Sequence, residues 1–214
     1  GFVCFTPIYS RGTLWKGPGV QVILPATITI SLFYLALATF VLRNRQKQEA
    51  HYLLSAAAGA LFLWTFLAYF AYASPTYDQL RFWYHLSCLG MFFYYPLNHH
   101  FVFSLTKPYL PISRRVYPLI VYLPFAVLFI RELDLGVSMA GFERLSFGWK
   151  FLPAAGTPWN TAWVLLASAS AIASMIYMAR AARKTTLNRE RKQFRLLSTA
   201  LAATLLITLG EYPL

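Results

Sequence analysis

Tyr52-Leu53-Leu54-Ser55-Ala56-Ala57-Ala58-Gly59-Ala60-Leu61-Phe62-Leu63-Trp64-Thr65-Phe66-Leu67-Ala68-Tyr69-Phe70-Ala71-Tyr72-Ala73 runs without a charged side chain, and that run decides the fold. Roughly 20 apolar residues wound as a helix cover the ~30 Å hydrocarbon core of a bilayer. Its first half is built of small residues that let another helix approach closely, and its second half is aromatic. Working outward, 20–42, 82–106 and 156–179 meet the same standard. Two shorter stretches, 115–131 and 195–211, end in Arg115, Arg131 and Arg195, whose long side chains can snorkel to the interface. The reading is an all-α polytopic membrane protein: six visible transmembrane helices of a seven-helix bundle.

Composition agrees. Of 214 residues 58% are hydrophobic and only 12% charged, too few to solvate a globular surface. The two cysteines, Cys4 and Cys88, offer neither a disulfide framework nor a metal spacing. The chain opens without methionine and stops just after a span, so it reads as part of a longer polypeptide; nothing before the first span has the make-up of a signal peptide.

The net charge of +12 is not spread evenly. Arg43, Arg45 and Lys47 follow the first span, Lys107, Arg114 and Arg115 the third, and Arg180, Arg183, Lys184, Arg189, Arg191, Lys192 and Arg195 the fifth. The other gaps hold most of the acids: Asp78, Glu132, Asp134, Glu143 and, at the end, Glu211. Basic residues in short loops face the cytoplasm, which puts the N-terminal segment 1–19 outside, together with the loop 131–155. Clustering beside span ends suits an anionic inner leaflet and argues against nucleic acid. Six spans from an outside start finish outside, so a cytoplasmic output requires a seventh span after Leu214.

Within the spans, Pro96 interrupts the third, and Pro118 and Pro124 the fourth, so these are the expected helix pivots. The 131–155 segment, rich in aromatics, reads as an ordered lid. Asn98-His99-His100 lies about 10 Å inside the cytoplasmic end of the third span, where imidazoles demand partners. These three, with Tyr94, Tyr95, Trp64 and Glu211, are the candidate ligand-binding residues. The competing explanation is interhelical hydrogen bonding, with the aromatics as packing and Glu211 among lipid headgroups. A single b-type haem would need His51 opposite His99 or His100, since His85 finds no second histidine at its level. No cofactor or metal is predicted, and no catalytic arrangement of Ser, His and Asp or phosphate loop is present.

Ala60-Leu61-Phe62-Leu63-Trp64, Phe82-Trp83-Tyr84-His85-Leu86-Ser87-Cys88-Leu89-Gly90, Pro96-Leu97-Asn98-His99-His100-Phe101-Val102-Phe103-Ser104-Leu105-Thr106, Tyr122-Leu123-Pro124 and the basic run Arg189-Glu190-Arg191-Lys192-Gln193-Phe194-Arg195 follow one another in a familiar order. In this the chain resembles the N-terminal seven-helix sensor region of bacterial histidine kinases, from about residue 24 onward. The resemblance implies an outside N-terminus, seven spans, the bacterial inner membrane and a cytoplasmic kinase or cyclase output. No phosphoacceptor histidine can be carried over, because His51, His85, His99 and His100 all lie in or beside spans.

The expected function is therefore sensory: the domain detects a small-molecule ligand or membrane state and relays it by helix displacement, as a homodimer or within a larger membrane complex. The alternative is an accessory or electron-transfer subunit holding haem, pigment, quinone or lipid; a transporter is a third reading.

Overall fold

A computed structural model describes residues 18–43, 48–106, 113, 115–135, 139–145, 148–154 and 156–211. The segment 1–17 with Cys4, the basic residues Arg45, Lys47, Lys107 and Arg114, and the side chain of Glu211 lie outside the described residues. The chain runs α1 (Pro18–Arg43), α2 (Glu49–Ala73), α3 (Tyr77–Thr106), α4 (Val116–Leu135), β1 (Met139–Leu145), β2 (Gly148–Pro153), α5 (Pro158–Lys184) and α6 (Asn188–Glu211).

Small residues set the first contacts. On α1, Ser31, Ala38 and Val41 are buried, while Phe33, Phe40 and Leu42 stay exposed as an apolar exterior for lipid. Ser31 Oγ donates to Thr65 Oγ1 at 2.8 Å and Ser55 Oγ to the Ala38 carbonyl at 3.0 Å, pinning α1 to α2. The closest approach is between α2 and α3. A Cβ on Gly90 would collide with the Ala60 carbonyl oxygen and lie 2.6 Å from Trp64 N, so only glycine fits.

α3 is the hub, packed against α2, α4 and α5. Tyr84, Ser87, Cys88, Met91, Phe92, Pro96 and His99 are all buried on it. Four helical segments are long and apolar enough to cross a membrane among the described residues: Pro25–Arg43, Glu49–Ala73, Val116–Asp134 and Pro158–Lys184. The third span expected at 82–106 is not among them. Its helix begins earlier, at Tyr77, and sheathed by neighbours it can carry polar side chains that a lipid-facing helix cannot. Nor is α6 among the four, although its Phe194, Leu197 and Leu201 cover Met178 of α5.

Three other expectations need correction. α4 continues to Leu135, so Arg131, Glu132 and Asp134 are helical and not loop residues. Pro118 is the third residue of α4, and first-turn N–H groups have no intrahelical acceptor, so this proline breaks no bond and makes no pivot. The chain is also not purely α-helical. The ordered segment between α4 and α5 is an antiparallel hairpin with Phe142 opposite Phe151 and Arg144 opposite Trp149. The hairpin is tied to the α2–α3 turn, where Arg144 Nη1 and Trp149 Nε1 donate to the Ser74 carbonyl at 2.9 and 2.8 Å. That junction defines one end of the bundle. At the other end the start of α2 meets the end of α3, Ser104 Oγ donating to Glu49 Oε2 at 3.2 Å.

Candidate functional site

The buried stripe of α3 recurs at the three-and-four spacing of a helix face turned to a core. Its middle is apolar and aromatic. Its two ends are polar, and Tyr84 and His99 stand about 22 Å apart along the axis at about 1.5 Å per residue.

At the hairpin end, Tyr84 donates its phenolic O–H to Glu132 Oε1 at 2.7 Å, and Cys88 Sγ lies 3.8 Å from the same oxygen. Glu132 is fully buried because Phe125, Leu128 and Glu132 share the face of α4 that packs inward. The hairpin closes over this cluster, with the Phe142 and Phe151 rings 5.0 and 5.4 Å from that of Tyr84. α5 supplies the remaining polar groups. Its cap, Thr157 Oγ1, accepts from Asn160 N at 3.1 Å and fixes the first turn. Arg131 lies 5.0 Å over the Trp159 ring, which sets the last turn of α4 beside the first turn of α5. Asn160 is fully buried, yet neither its Oδ1 nor its Nδ2 has a hydrogen-bond partner among the described residues. The same holds for Trp163 Nε1, one turn further along and wedged among Phe92, Tyr95 and Phe125. Leaving such a group unpaired costs about 1–3 kcal/mol. Three such atoms on one turn set this part of α5 apart, because buried polar groups are as a rule hydrogen-bonded.

At the opposite end the two adjacent histidines part. His99 Nδ1 is 3.1 Å from the Ser170 carbonyl and 2.8 Å from Ser174 Oγ on α5. A carbonyl only accepts, so these partners assign the proton to Nδ1. About 100° round the helix, His100 Nδ1 meets Tyr122 O–H at 3.3 Å and its Nε2 lies 3.6 Å from Glu49 Oε1, which assigns the opposite tautomer. Tyr117 sits between them, its ring stacked on Phe103 at 3.8 Å and its buried hydroxyl without a partner among the described residues.

Of the residues singled out from sequence, His99 and His100 thus occupy polar environments on different faces of α3. Asn98 is half-buried and, among the described residues, joins neither cluster by a hydrogen bond. Tyr95 lies parallel to Phe125 in the aromatic layer, Tyr94 sits half-buried beside it, and Trp64 packs against the same core. Pro96 is fully buried in an α3 that runs unbroken through it, and Pro124 lies within α4. His51 Nδ1 accepts from Gln48 N at 3.3 Å and is occupied in starting α2. Sequence reasoning missed Glu132, Tyr84, Asn160 and Trp163. The signal for Glu132 was available in the spacing Phe125, Leu128, Phe129, Glu132, which continues one helical face into the charged segment. No group of three or more His, Cys, Asp or Glu side chains suited to a metal ion occurs among the described residues.

No curated protein and no solved structure is significantly similar to the chain. Residues 23–212, reaching from the first helix to the last, match the family described as the N-terminal 7TM region of histidine kinase. The apolar helices and this match together make the chain a multi-pass membrane protein that belongs to the family of N-terminal seven-transmembrane regions of histidine kinases, the membrane sensor part of such a kinase and not its catalytic part.

Proposed function

We propose that this domain detects a small polar ligand beneath the β1–β2 hairpin and relays its presence along α3 to a cytoplasmic output. The observation that carries this reading is the trio of buried, unpartnered atoms on Asn160 and Trp163; Trp163 belongs to the same buried core as Tyr84, against which Phe142 and Phe151 of the hairpin pack. A ligand offering both a donor and an acceptor gains the bonds that the closed protein lacks, and so favours whichever arrangement presents them. α3 is the natural carrier, since it touches both polar clusters. Pro96 lies between them and deprives the Phe92 carbonyl of its intrahelical donor, which supports a pivot there.

The charge ladder supports the orientation. Arg43, Arg115, Arg180, Arg183 and Lys184 all belong to the histidine end, which is then cytoplasmic, with the hairpin outside the bacterial inner membrane. A seventh crossing connects the bundle to the output.

The test uses the full-length protein in inverted membrane vesicles, with phosphorylation from ATP as readout. Asn160→Leu keeps the volume but removes two unpaired atoms, and each kcal/mol of bias shifts a two-state equilibrium about fivefold. Expected is an output altered several-fold at unchanged abundance in the membrane, with Trp163→Phe shifting it in the same direction. Output equal to wild type in both variants refutes the location.

A further inference from the structure

Where α5 turns into α6, a cavity of about 640 Å³ opens at the histidine end of the bundle. Arg183, Arg191 and Arg195 line it together with Ala179, Phe194 and Ser198. None of these arginines forms an ion pair with a carboxylate among the described residues, and the nearest acid in sequence, Glu190, is engaged by Thr185 Oγ1 at 2.6 Å. Arg191 is held in place, its Nη2 donating to the Thr185 carbonyl at 3.1 Å. The arginines on α6 are one turn apart, so they project on one side of the helix toward Arg183 across the cavity.

We propose that this cavity is a binding site for a single anionic phospholipid, which presents its phosphate to the arginines. The inference needs only that the end of α5 reaches a membrane surface and is independent of the ligand proposed under the hairpin. Three observations favour a lipid over a soluble anion. α5 is one of the helices apolar enough to span, so Lys184 at its end stands at headgroup depth. Deeper than Arg183 the α5 wall is methyl surface, Ala179 and Ala182, Phe194 stands between the two α6 arginines, and Ser198 and Thr199 lie beyond them, so the cavity sets apolar surface and hydroxyls where the first methylenes and ester oxygens of a glycerolipid would lie. Guanidinium forks match phosphate oxygens in pairs, and basic pockets between helices at this depth are the usual receivers of phosphate-bearing headgroups. The volume falls within the roughly 300–1,000 Å³ of small-molecule sites.

Diffuse attraction of basic loops to an acidic surface is the alternative to a defined site, and the same turn provides the control. Lys184, Arg189 and Lys192 carry equal charge a few residues away, outside the cavity lining. The full chain, purified in detergent, is titrated with phosphatidylglycerol and, separately, phosphatidylcholine, with bound lipid counted by native mass spectrometry. Expected is one saturable phosphatidylglycerol, weakened about tenfold or more by Arg183→Gln/Arg191→Gln/Arg195→Gln. Lys184→Gln/Arg189→Gln/Lys192→Gln should leave it within about twofold. Arg191→Lys, which keeps the charge and the fold but loses the planar fork, should weaken it measurably. Equal loss in both triple variants, equal binding of phosphatidylcholine, or no saturable adduct overturns the proposal. Displacement of the lipid by millimolar inorganic phosphate assigns the site to a free anion and overturns the lipid assignment.

Discussion

Replacing Gly90 by alanine tests the tightest contact in the bundle. The new methyl carbon meets the Ala60 carbonyl oxygen, Trp64 N at 2.6 Å and Trp64 Cα at 3.0 Å, whereas ordinary contact begins near 3.4 Å. All three obstacles are backbone atoms, which cannot rotate aside. α2 and α3 must therefore separate locally by about 0.8 Å or more, and overpacking of this kind costs about 1–3 kcal/mol. Alanine is also the better helix former by about 1 kcal/mol, which offsets part of the loss. Gly59, on the neighbouring helix, isolates the two effects, because a Cβ there meets nothing within 4 Å. Gly59→Ala should be neutral or slightly stabilising, and the difference between the two variants is then the clash itself, about 1–3 kcal/mol. The assay is unfolding by SDS titration from mixed micelles, followed by tryptophan fluorescence, to which Trp64 at the contact contributes. Gly90→Ala at least as stable as Gly59→Ala would refute the close approach of α2 and α3.

Tyr84→Phe removes the phenol that donates to Glu132 and should lower stability by about 1–3 kcal/mol in the same titration, with Cys88→Ala losing less because its sulfur contact is long. A double-mutant cycle on His99→Ala and Ser174→Ala should give a coupling near the ~0.6 kcal/mol typical of interhelical hydrogen bonds in membranes; zero coupling would mean that the 2.8 Å contact is not formed. In a background with Cys4 and Cys88 replaced by alanine, Glu143→Cys on the hairpin should react with a membrane-impermeant maleimide in intact cells and Lys184→Cys should not; the reverse pattern inverts the proposed orientation.

Much of the bundle could be read from charge alone, because a helix in lipid must exclude charged groups along its whole length. The charge-free stretches 20–42, 52–73 and 156–179 satisfy that condition, and the helices Pro18–Arg43, Glu49–Ala73 and Pro158–Lys184 run through them, with charged residues confined to the helix ends. The rule failed where protein replaces lipid. Arg131, Glu132 and Asp134 look like the start of a loop, yet α4 continues because Glu132 is received by Tyr84, 48 positions away in the chain. The hairpin was hidden in a similar way: its aromatics identify an ordered segment, but only contact with Tyr84, Tyr77 and Tyr72 gives them a surface to lie on. His99 and His100 were conspicuous as polar residues inside an apolar run. Asn160 was not, since after Pro158-Trp159 it resembles an ordinary interfacial residue, and only its burial distinguishes it.

The polar character of α3 bears on how the protein is made. A helix too polar for lipid partitions poorly when it leaves the ribosome by itself, whereas a partner that shields its hydrophilic face lowers the cost. α2 is synthesised just before α3, is apolar enough to enter alone, and joins it through a turn of only a few residues and the glycine contact at Gly90. α3 is therefore expected to enter the membrane together with α2, as the second half of a helical hairpin. The close approach at Gly90 would then serve assembly before it serves the finished bundle, and a substitution there is expected to lower the yield of inserted protein.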